Sequence, residues 1–569
     1  MPDTAALSDR SLSSTSFLHS PFLGIMIVAG FLLFYGLGDL GLTDRDEGSN
    51  AEAAREMLET GNWLSPTLNY EPRYAKPAFT YWLISGAYAL FGVNEFAARL
   101  PSALSGLALI GLQYLFLFRL FGTSLAMFGA LMLLLNIEFI AMNRMVLTDP
   151  ELVLFTTLAG YCFWLGLHEE GRSRWYFWGC YLGMALAMLT KGPVGILIPL
   201  LGIVPYLSVT RQWKRFWKIG FPLRGLLAVM ALSAPWYLAM FAMHGADYLE
   251  AARANTAGRF ASPMEGHGGT LVFYFPVVLL GFFPWSAMLP MALREACKNW
   301  SIFRTHPEQC SAAQHLALFA ALWAMAIFAF FTLSATRLPH YIYPLFPAAS
   351  ILVALYWSRC VKDSASPGLR VAMWLFAGLG YLLGLGFAAV PAIFEAFDEV
   401  MAKEFPAALS LDVGFWPVVT GGGIVAGTMA AKHLADSDAR RPLVFWIAGS
   451  LILWIACSVF VFGIPVFDRY FIAPPQELAM IAGYNLKPTD ALIQFGRRRP
   501  SLAFYAKRRI VYVSPGEHER LEPYRHSPVT KMLVLQRHLR GRLPEPFASY
   551  PVVLERHGFV LLSSRSFVQ

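Results

Sequence analysis

Charge is scarce in this sequence. Only 14% of its 569 residues are Asp, Glu, Lys or Arg, against 56% that are hydrophobic, whereas a soluble globular chain carries about a quarter charged. That shortage excludes an ordinary soluble protein and leaves a membrane protein. Cysteine is scarce as well: Cys162, Cys180, Cys297, Cys310, Cys360 and Cys457 lie in apolar runs or at their flanks, with no Cys-x-x-Cys pair and none in the polar C-terminal tail. No disulfide framework or thiolate metal centre is implied. The small-residue cleavage site of a secretory leader does not follow the first apolar run, so residues 22–40 read as an uncleaved first helix. No repeat or low-complexity segment is present, and the Ser/Thr-rich residues 1–21 read as a disordered cytoplasmic N-terminus. The net charge of +8 sits in the tail, where residues 465–569 hold sixteen Lys/Arg against eight Asp/Glu. A basic face beside anionic headgroups of membrane lipids explains it without nucleic acid.

Long apolar runs are abundant. A span needs about twenty apolar residues, and thirteen candidates follow: 22–40, 98–121, 124–141, 151–168, 174–190, 192–209, 224–242, 271–292, 314–333, 340–360, 369–394, 414–431 and 443–464. A further run, 78–91, reads as an interfacial helix with Pro77 at its first turn. With that choice the basic clusters around Arg119, Arg172, Arg211 to Lys218, Arg294 to Arg304, Arg359 and Lys432 to Arg441 all fall on one side, which becomes cytoplasmic. The expected fold is an α-helical polytopic membrane protein: a transmembrane domain over 22–464 with an outer catalytic loop at 41–97, and an outer soluble domain over 465–569.

The first outer loop carries a capping box at Ser49-Asn50-Ala51-Glu52 and a stop at Gly61, predicting a surface helix over about 50–60. In the tail, apolar runs at 491–495, 509–513, 531–535, 552–554 and 559–562 alternate with Pro, Gly and charged stretches, predicting a small α/β unit.

Ionisable residues gather in the loops assigned to the outside: Asp44, Asp46, Glu47, Arg73, Lys76, Arg144, Asp149, Lys191, Arg253, Arg259, Glu265, His267, Arg337 and His340. Charges at an apolar layer are costly unless they pair or face a wet cavity, so their concentration at one surface marks a candidate site. Sugar transfer from a polyprenyl phosphate needs a wall open to the lipid, cations for the leaving phosphate and carboxylates near the anomeric carbon. Lys76, Arg259 and Arg337 are the cation candidates; Asp46, with Glu47 beside it, and Asp149 are the acids. Plainer readings stand beside these. Asp149 before Pro150 has the form of a helix cap, Asp46-Glu47 that of an acid pair at a helix N-terminus, and Lys191 that of a snorkelling lysine at a helix end. His267 with Glu265 falls short of a ligand set, so no metal residue is assigned and a divalent metal is left open.

These residues resemble a family. Asp46-Glu47, Ala53-Ala54-Arg55-Glu56-Met57-Leu58, Gly61-Asn62-Trp63, Lys76-Pro77 and Tyr81-Trp82-Leu83 look like the bacterial branch of the protein O-mannosyltransferase superfamily, especially the lipid A 4-amino-4-deoxy-L-arabinose transferases. Leu147-Thr148-Asp149-Pro150, Leu189-Thr190-Lys191-Gly192, Arg259-Phe260, Ser334, Arg337-Leu338-Pro339-His340-Tyr341 and Pro344 follow in the same order. The resemblance covers roughly the first 350 residues. It implies the GT-C fold, with thirteen spans, juxtamembrane helices and a periplasmic domain, in a multi-pass protein of a bacterial inner membrane. It further implies Asp46 and Asp149 as functional acids, Lys76 and Arg259 on the carrier phosphate, undecaprenyl phosphate-aminoarabinose as donor and a lipid A phosphate as acceptor. Tyr74, Lys191 and Tyr341 join the substrate-binding candidates. One departure stands out: the family commonly has an acid before this Lys-Pro, and here it is Ala75, which removes a contact to a metal or to the sugar amine.

Two other kinds of function compete. A related enzyme would place a hexose or uronic acid on lipopolysaccharide core, or mannose on protein. A lipid or sugar transporter would instead place paired charges deep inside its spans, which here are nearly free of charge.

Overall fold

A computed structural model describes residues 21–262, 268–362 and 368–565. The first twenty residues, read above as disordered, lie outside the described residues, as do Glu265 and His267.

Each of the thirteen apolar runs is largely helical, because a backbone in lipid must satisfy its polar groups internally. Among the described residues, seven helices are long and apolar enough to cross, including Glu95–Phe121, Asp149–His168, Ala312–Leu333 and Arg441–Asn485, and a pair bent by 114° at 274–297 makes an eighth if it is one span. The count of thirteen is not reached on this measure. Phe22–Phe34, Thr123–Leu134 and Val194–Val209 hold only 13, 12 and 16 residues. The run at 124–141 breaks because Asn136 caps a new short helix, its side chain accepting from the Phe139 amide at 2.8 Å.

The first loop holds two helices packed on each other. Phe79–Phe91 begins two residues after Pro77, and its Ser85 and Tyr88 hydroxyls donate to the Ala54 and Ala51 carbonyls at 2.8 and 3.3 Å. Its partner, Asp46–Thr60, starts four residues earlier than the capping box predicts, which leaves Ser49 and Glu52 inside the helix. The chain turns sharply at Arg45, with φ of 72°, and puts Asp46 and Glu47 into the first turn, where the helix dipole favours acids. Gly61 ends the helix in the left-handed conformation, as expected. Strands β1 (Thr67–Leu68) and β2 (Glu71–Pro72) follow as a hairpin. Its two central residues, Asn69 and Tyr70, have φ of 60° and 61°, the pattern of a type I′ turn.

The tail forms strands β3 (Ala491–Phe495), β4 (Ile510–Val513), β5 (Lys531–Gln536), β6 (Val552–Arg556) and β7 (Phe559–Ser563), close to the predicted runs. Their order is β4-β3-β5-β7-β6. The first three are mutually parallel, and β7 is antiparallel to both neighbours. Side chains alternate between two apolar layers: Leu492, Met532 and Leu561 lie on one face, Ile493, Leu533 and Leu562 on the other.

This unit sits directly on the first loop. Asp44 accepts from Arg499 at 2.9 Å and from the Ser501 hydroxyl at 2.5 Å. Asn69 pairs with both backbone groups of Ile510 at 2.8 and 3.0 Å, adding a partner to the edge strand. At Gly48 a Cβ would lie 2.7 Å from the Ser501 backbone nitrogen, so only glycine permits the approach.

The tightest node in the loop is Glu47 with Arg99, exposed by only 1% and 2%. Arg99 donates to both Glu47 oxygens at 2.8 and 3.1 Å and to the carbonyls of Leu37, Leu40 and Gly41. Glu47 also accepts from Thr43 and from the Val146 amide. Removing one partner strands a buried charge. Glu47→Leu should therefore cost about 3–5 kcal/mol, read as a fall in Tm of the detergent-purified protein, and adding Arg99→Met should restore most of it. A double variant as unstable as the single would locate the stability in the carbonyl bonds of Arg99 rather than in the ion pair.

Candidate functional site

The three acids of the 44–47 stretch have separate fates. Asp44 is consumed by the C-terminal unit. Glu47 is consumed by Arg99, Thr43 and Val146; burial pushes its carboxyl up, but the Arg99 guanidinium and these bonds outweigh burial and hold it below the usual carboxylate range. The structure does not bring Glu47 to the cluster of candidates. Asp46 lies between the two, exposed, and among the described residues nothing hydrogen-bonds its carboxylate.

Lys76 follows the hairpin and precedes Pro77, which opens the turn into the interfacial helix. It is half-buried, and among the described residues it has no hydrogen-bond or ion-pair partner. Burial pushes its ammonium down to about 7; Lys191 and Arg259 push the same way, and Asp46 and Asp149 oppose. These four groups therefore lie within electrostatic reach of Lys76.

The far wall is an interlocked set. Lys191 donates to Asp149 at 2.6 Å and lies 4.9 Å from the centre of the Tyr341 ring. The Tyr341 hydroxyl accepts from Arg259 at 2.7 Å, and Asn255 accepts from the same guanidinium at 3.1 Å. The third nitrogen of that guanidinium, Nε, is buried without a partner. The Arg259 backbone is zipped to the 334–336 turn, its carbonyl accepting from the Thr336 amide while the Phe260 carbonyl accepts from that of Ala335. This explains why Arg259-Phe260 and the Ser334 to Tyr341 stretch belong together despite their separation in sequence.

Tyr74 stands in an aromatic wall, edge-on to His244 and Tyr248 at 5.1 and 5.8 Å. The helix that supplies those rings, Pro222–Arg253, is poorly covered, with Leu227, Leu238 and Phe241 exposed; it is the side open to lipid. Arg337 gives two nitrogens to the carbonyls of Gly269 and Thr332 and braces that segment. His340 is the residue that the sequence did not assign. Its ring lies 4.9 Å from that of Tyr341 and within electrostatic reach of Asp149, Lys191, Asp46 and Lys76. Its place beside Tyr341 in the Arg337 to Tyr341 stretch was the available signal. No group of three His, Cys, Asp or Glu among the described residues is placed to hold a metal ion.

The family model for dolichyl-phosphate-mannose-protein mannosyltransferases matches residues 44–249. An undecaprenyl phosphate-alpha-4-amino-4-deoxy-L-arabinose arabinosyl transferase of Pseudomonas aeruginosa is 29% identical over 442 residues, 76% of this chain and 74% of that protein. The enzyme of that name from Edwardsiella ictaluri is 30% identical over 371 residues, 63% of this chain and 64% of its own length. Among solved structures, ArnT from Cupriavidus metallidurans bound to undecaprenyl phosphate superposes with a TM-score of 0.74 at 24% identity, covering 98% of this chain and 99% of that one. The archaeal oligosaccharyltransferase AglB from Archaeoglobus fulgidus reaches 0.51 at 11% identity, covering 92% and 70%. A multi-pass helical bundle with two juxtamembrane helices, a small sheet unit at the same end and cations gathered with Asp46 and Asp149 between them is the arrangement of an integral-membrane glycosyltransferase of the GT-C fold. The site uses residues from five separate stretches of the chain: 46–76, 149, 191, 255–259 and 340–341. Within that fold the chain is similar, over about three quarters of its length, to the undecaprenyl phosphate-aminoarabinose arabinosyl transferases.

The near-neutral position of Lys76 has a measurable consequence. Below pH 7 the free protein holds it as a cation, and above pH 7 as a neutral amine. An anion that requires the cation should bind more weakly as the pH rises through 7, by up to about tenfold per unit. Lys76→Arg, which stays charged, should flatten the profile, the ligand's own titration being common to both proteins. Binding of a fluorescent polyprenyl phosphate between pH 6 and 9 measures this; identical profiles would remove Lys76 from contact with the anion.

Proposed function

We propose that this chain transfers 4-amino-4-deoxy-L-arabinose from undecaprenyl phosphate to a phosphate of lipid A, on the periplasmic face of a bacterial inner membrane, with residues 41–97 as the catalytic loop. The observation that carries the reading is that the Lys76 ammonium and the Asp46 carboxylate, each without a hydrogen-bond or ion-pair partner among the described residues, lie within electrostatic reach of each other and beside Asp149, Lys191 and Arg259. The names of the relatives and of the ArnT complex support the donor. The basic connecting loops at the other end of the bundle support the orientation.

As the glycosidic C–O bond breaks, positive charge grows on the anomeric carbon and the electron pair leaves with the carrier phosphate. Lys76 and Arg259 hold that phosphate and stabilise the charge it gains. Tyr341 fixes Arg259. Asp149 is neutralised by Lys191 and keeps that lysine over the Tyr341 ring. Asp46, whose oxygens are free, faces the sugar and orients it. An acceptor phosphate is already nucleophilic, so its oxygen forms the new bond once positioned, without a strong base.

Mass spectrometry of lipid A tests the reading, in a host that supplies the aminoarabinose carrier lipid. Wild type should add one aminoarabinose-sized increment, and Asp46→Asn, present at equal level in the membrane, should lower it at least about a hundredfold. Unmodified lipid A with wild type would refute this donor and acceptor, and an increment of another mass would refute the sugar.

A further inference from the structure

Two cavities lie along one helix, and the candidate site uses neither. The upper one, of about 330 Å³, opens where the C-terminal sheet meets the stretch after helix Val390–Ala402; Lys403, Arg497, Arg499 and Gln536 line it, with Phe495 and Leu539. Phe495 and Gln536 are the last residues of β3 and β5. The chain leaves β3 for β4 on one side and returns to β5 on the other, and such a switch point is where open α/β sheets take ligands. Of its three cations, Arg499 is paired with Asp44, and the bond of Arg497 to Glu404 is half-exposed and exchangeable.

The lower cavity, of about 240 Å³, is walled by Leu37, Leu40, Ile140, Ile452, Ile455 and Phe460 and is almost wholly apolar. Arg144 closes one side, lying 4.1 Å over the Phe460 ring. Ile464 borders the lower cavity and Pro475 the upper. Eleven residues of the same helix separate them, roughly 16 Å. Both touch the chain that leads into Asp46: Leu37 and Leu40 from below, and Asp44 through Arg499 from above.

We propose that this flank is the docking site of the acceptor, a glycolipid that seats an acyl chain in the apolar groove and a phosphate in the cationic pocket above it. The inference rests on the proposed function in taking the acceptor to be a phosphorylated lipid. The donor is a phosphate-bearing lipid too, but its candidate ligands, Lys76 and Arg259, line neither cavity. Two lipids thus approach Asp46 from different sides.

Native mass spectrometry of the full chain in detergent tests this with no sugar transfer required, so it stands or falls separately from the reaction. The probes are bisphosphorylated lipid A, its dephosphorylated form and undecaprenyl phosphate. Wild type should hold lipid A and undecaprenyl phosphate together. Ala456→Trp, which fills the groove, should lower lipid A occupancy at least about tenfold. The surface pair Lys403→Glu/Arg497→Glu should lower it similarly for the phosphorylated form alone. Undecaprenyl phosphate binding should be unchanged in both, which also reports that they fold. Unaltered lipid A binding by the surface pair, loss of undecaprenyl phosphate instead, one-for-one displacement of one lipid by the other, or no lipid A binding by wild type would each overturn the proposal.

Discussion

The buried pair of Glu47 and Arg99 is the constraint on which the site depends. Desolvating two full charges is costly, and the cost is offset only where each charge is saturated by further bonds. Here the saturation is also the architecture. Three carbonyls after the first helix, the Thr43 turn and the Val146 amide converge on two side chains, Glu47 of the first loop helix and Arg99 of the span that follows the loop. Asp46 is the immediate neighbour of Glu47 in the first turn of its helix, so fixing one places the other. Val146 is three residues from Asp149, so the same node sets the distance between the loop and the far wall.

This division of labour accounts for what the sequence could and could not disclose. Period and punctuation were sufficient for local structure: the five tail strands and the Gly61 stop fall where alternation and a left-handed residue require them. The start of the loop helix was not legible. A capping box at Ser49 is a valid local signal, and it lost to tertiary partners of Asp44 and Glu47 that lie up to 457 residues away. Span number was not legible either, because the apolar runs at 124–141 and 271–292 contain breaks that hydrophobicity does not register.

The candidate residues were legible as a set but not as roles. Loop position and charge pointed to Lys76, Arg259 and Asp46, the family resemblance decided for Asp149 and added Lys191, and the structure places all four others within electrostatic reach of Lys76. Nothing in the spacing distinguished Asp46 from Glu47, one residue apart, because the difference lies in Arg99, 52 residues further on. Arg337 looked equivalent to Arg259 by charge, and its two backbone carbonyls set it apart.

The last spanning helix, Arg441–Asn485, continues from the membrane into the sheet unit. Two π-helical stretches, Val459–Gly463 and Asp468–Ile472, interrupt its regular winding where it leaves the bundle, and such bulges are the compliant points of a helix. The arrangement is a strut with two soft joints. A tilt of the sheet unit must pass through those joints into Gly41, held by Asp468 at 2.7 Å, and Leu42, held by Gln476 at 2.6 Å. Mechanical load on the sheet unit is thereby delivered to the few residues that precede Asp46.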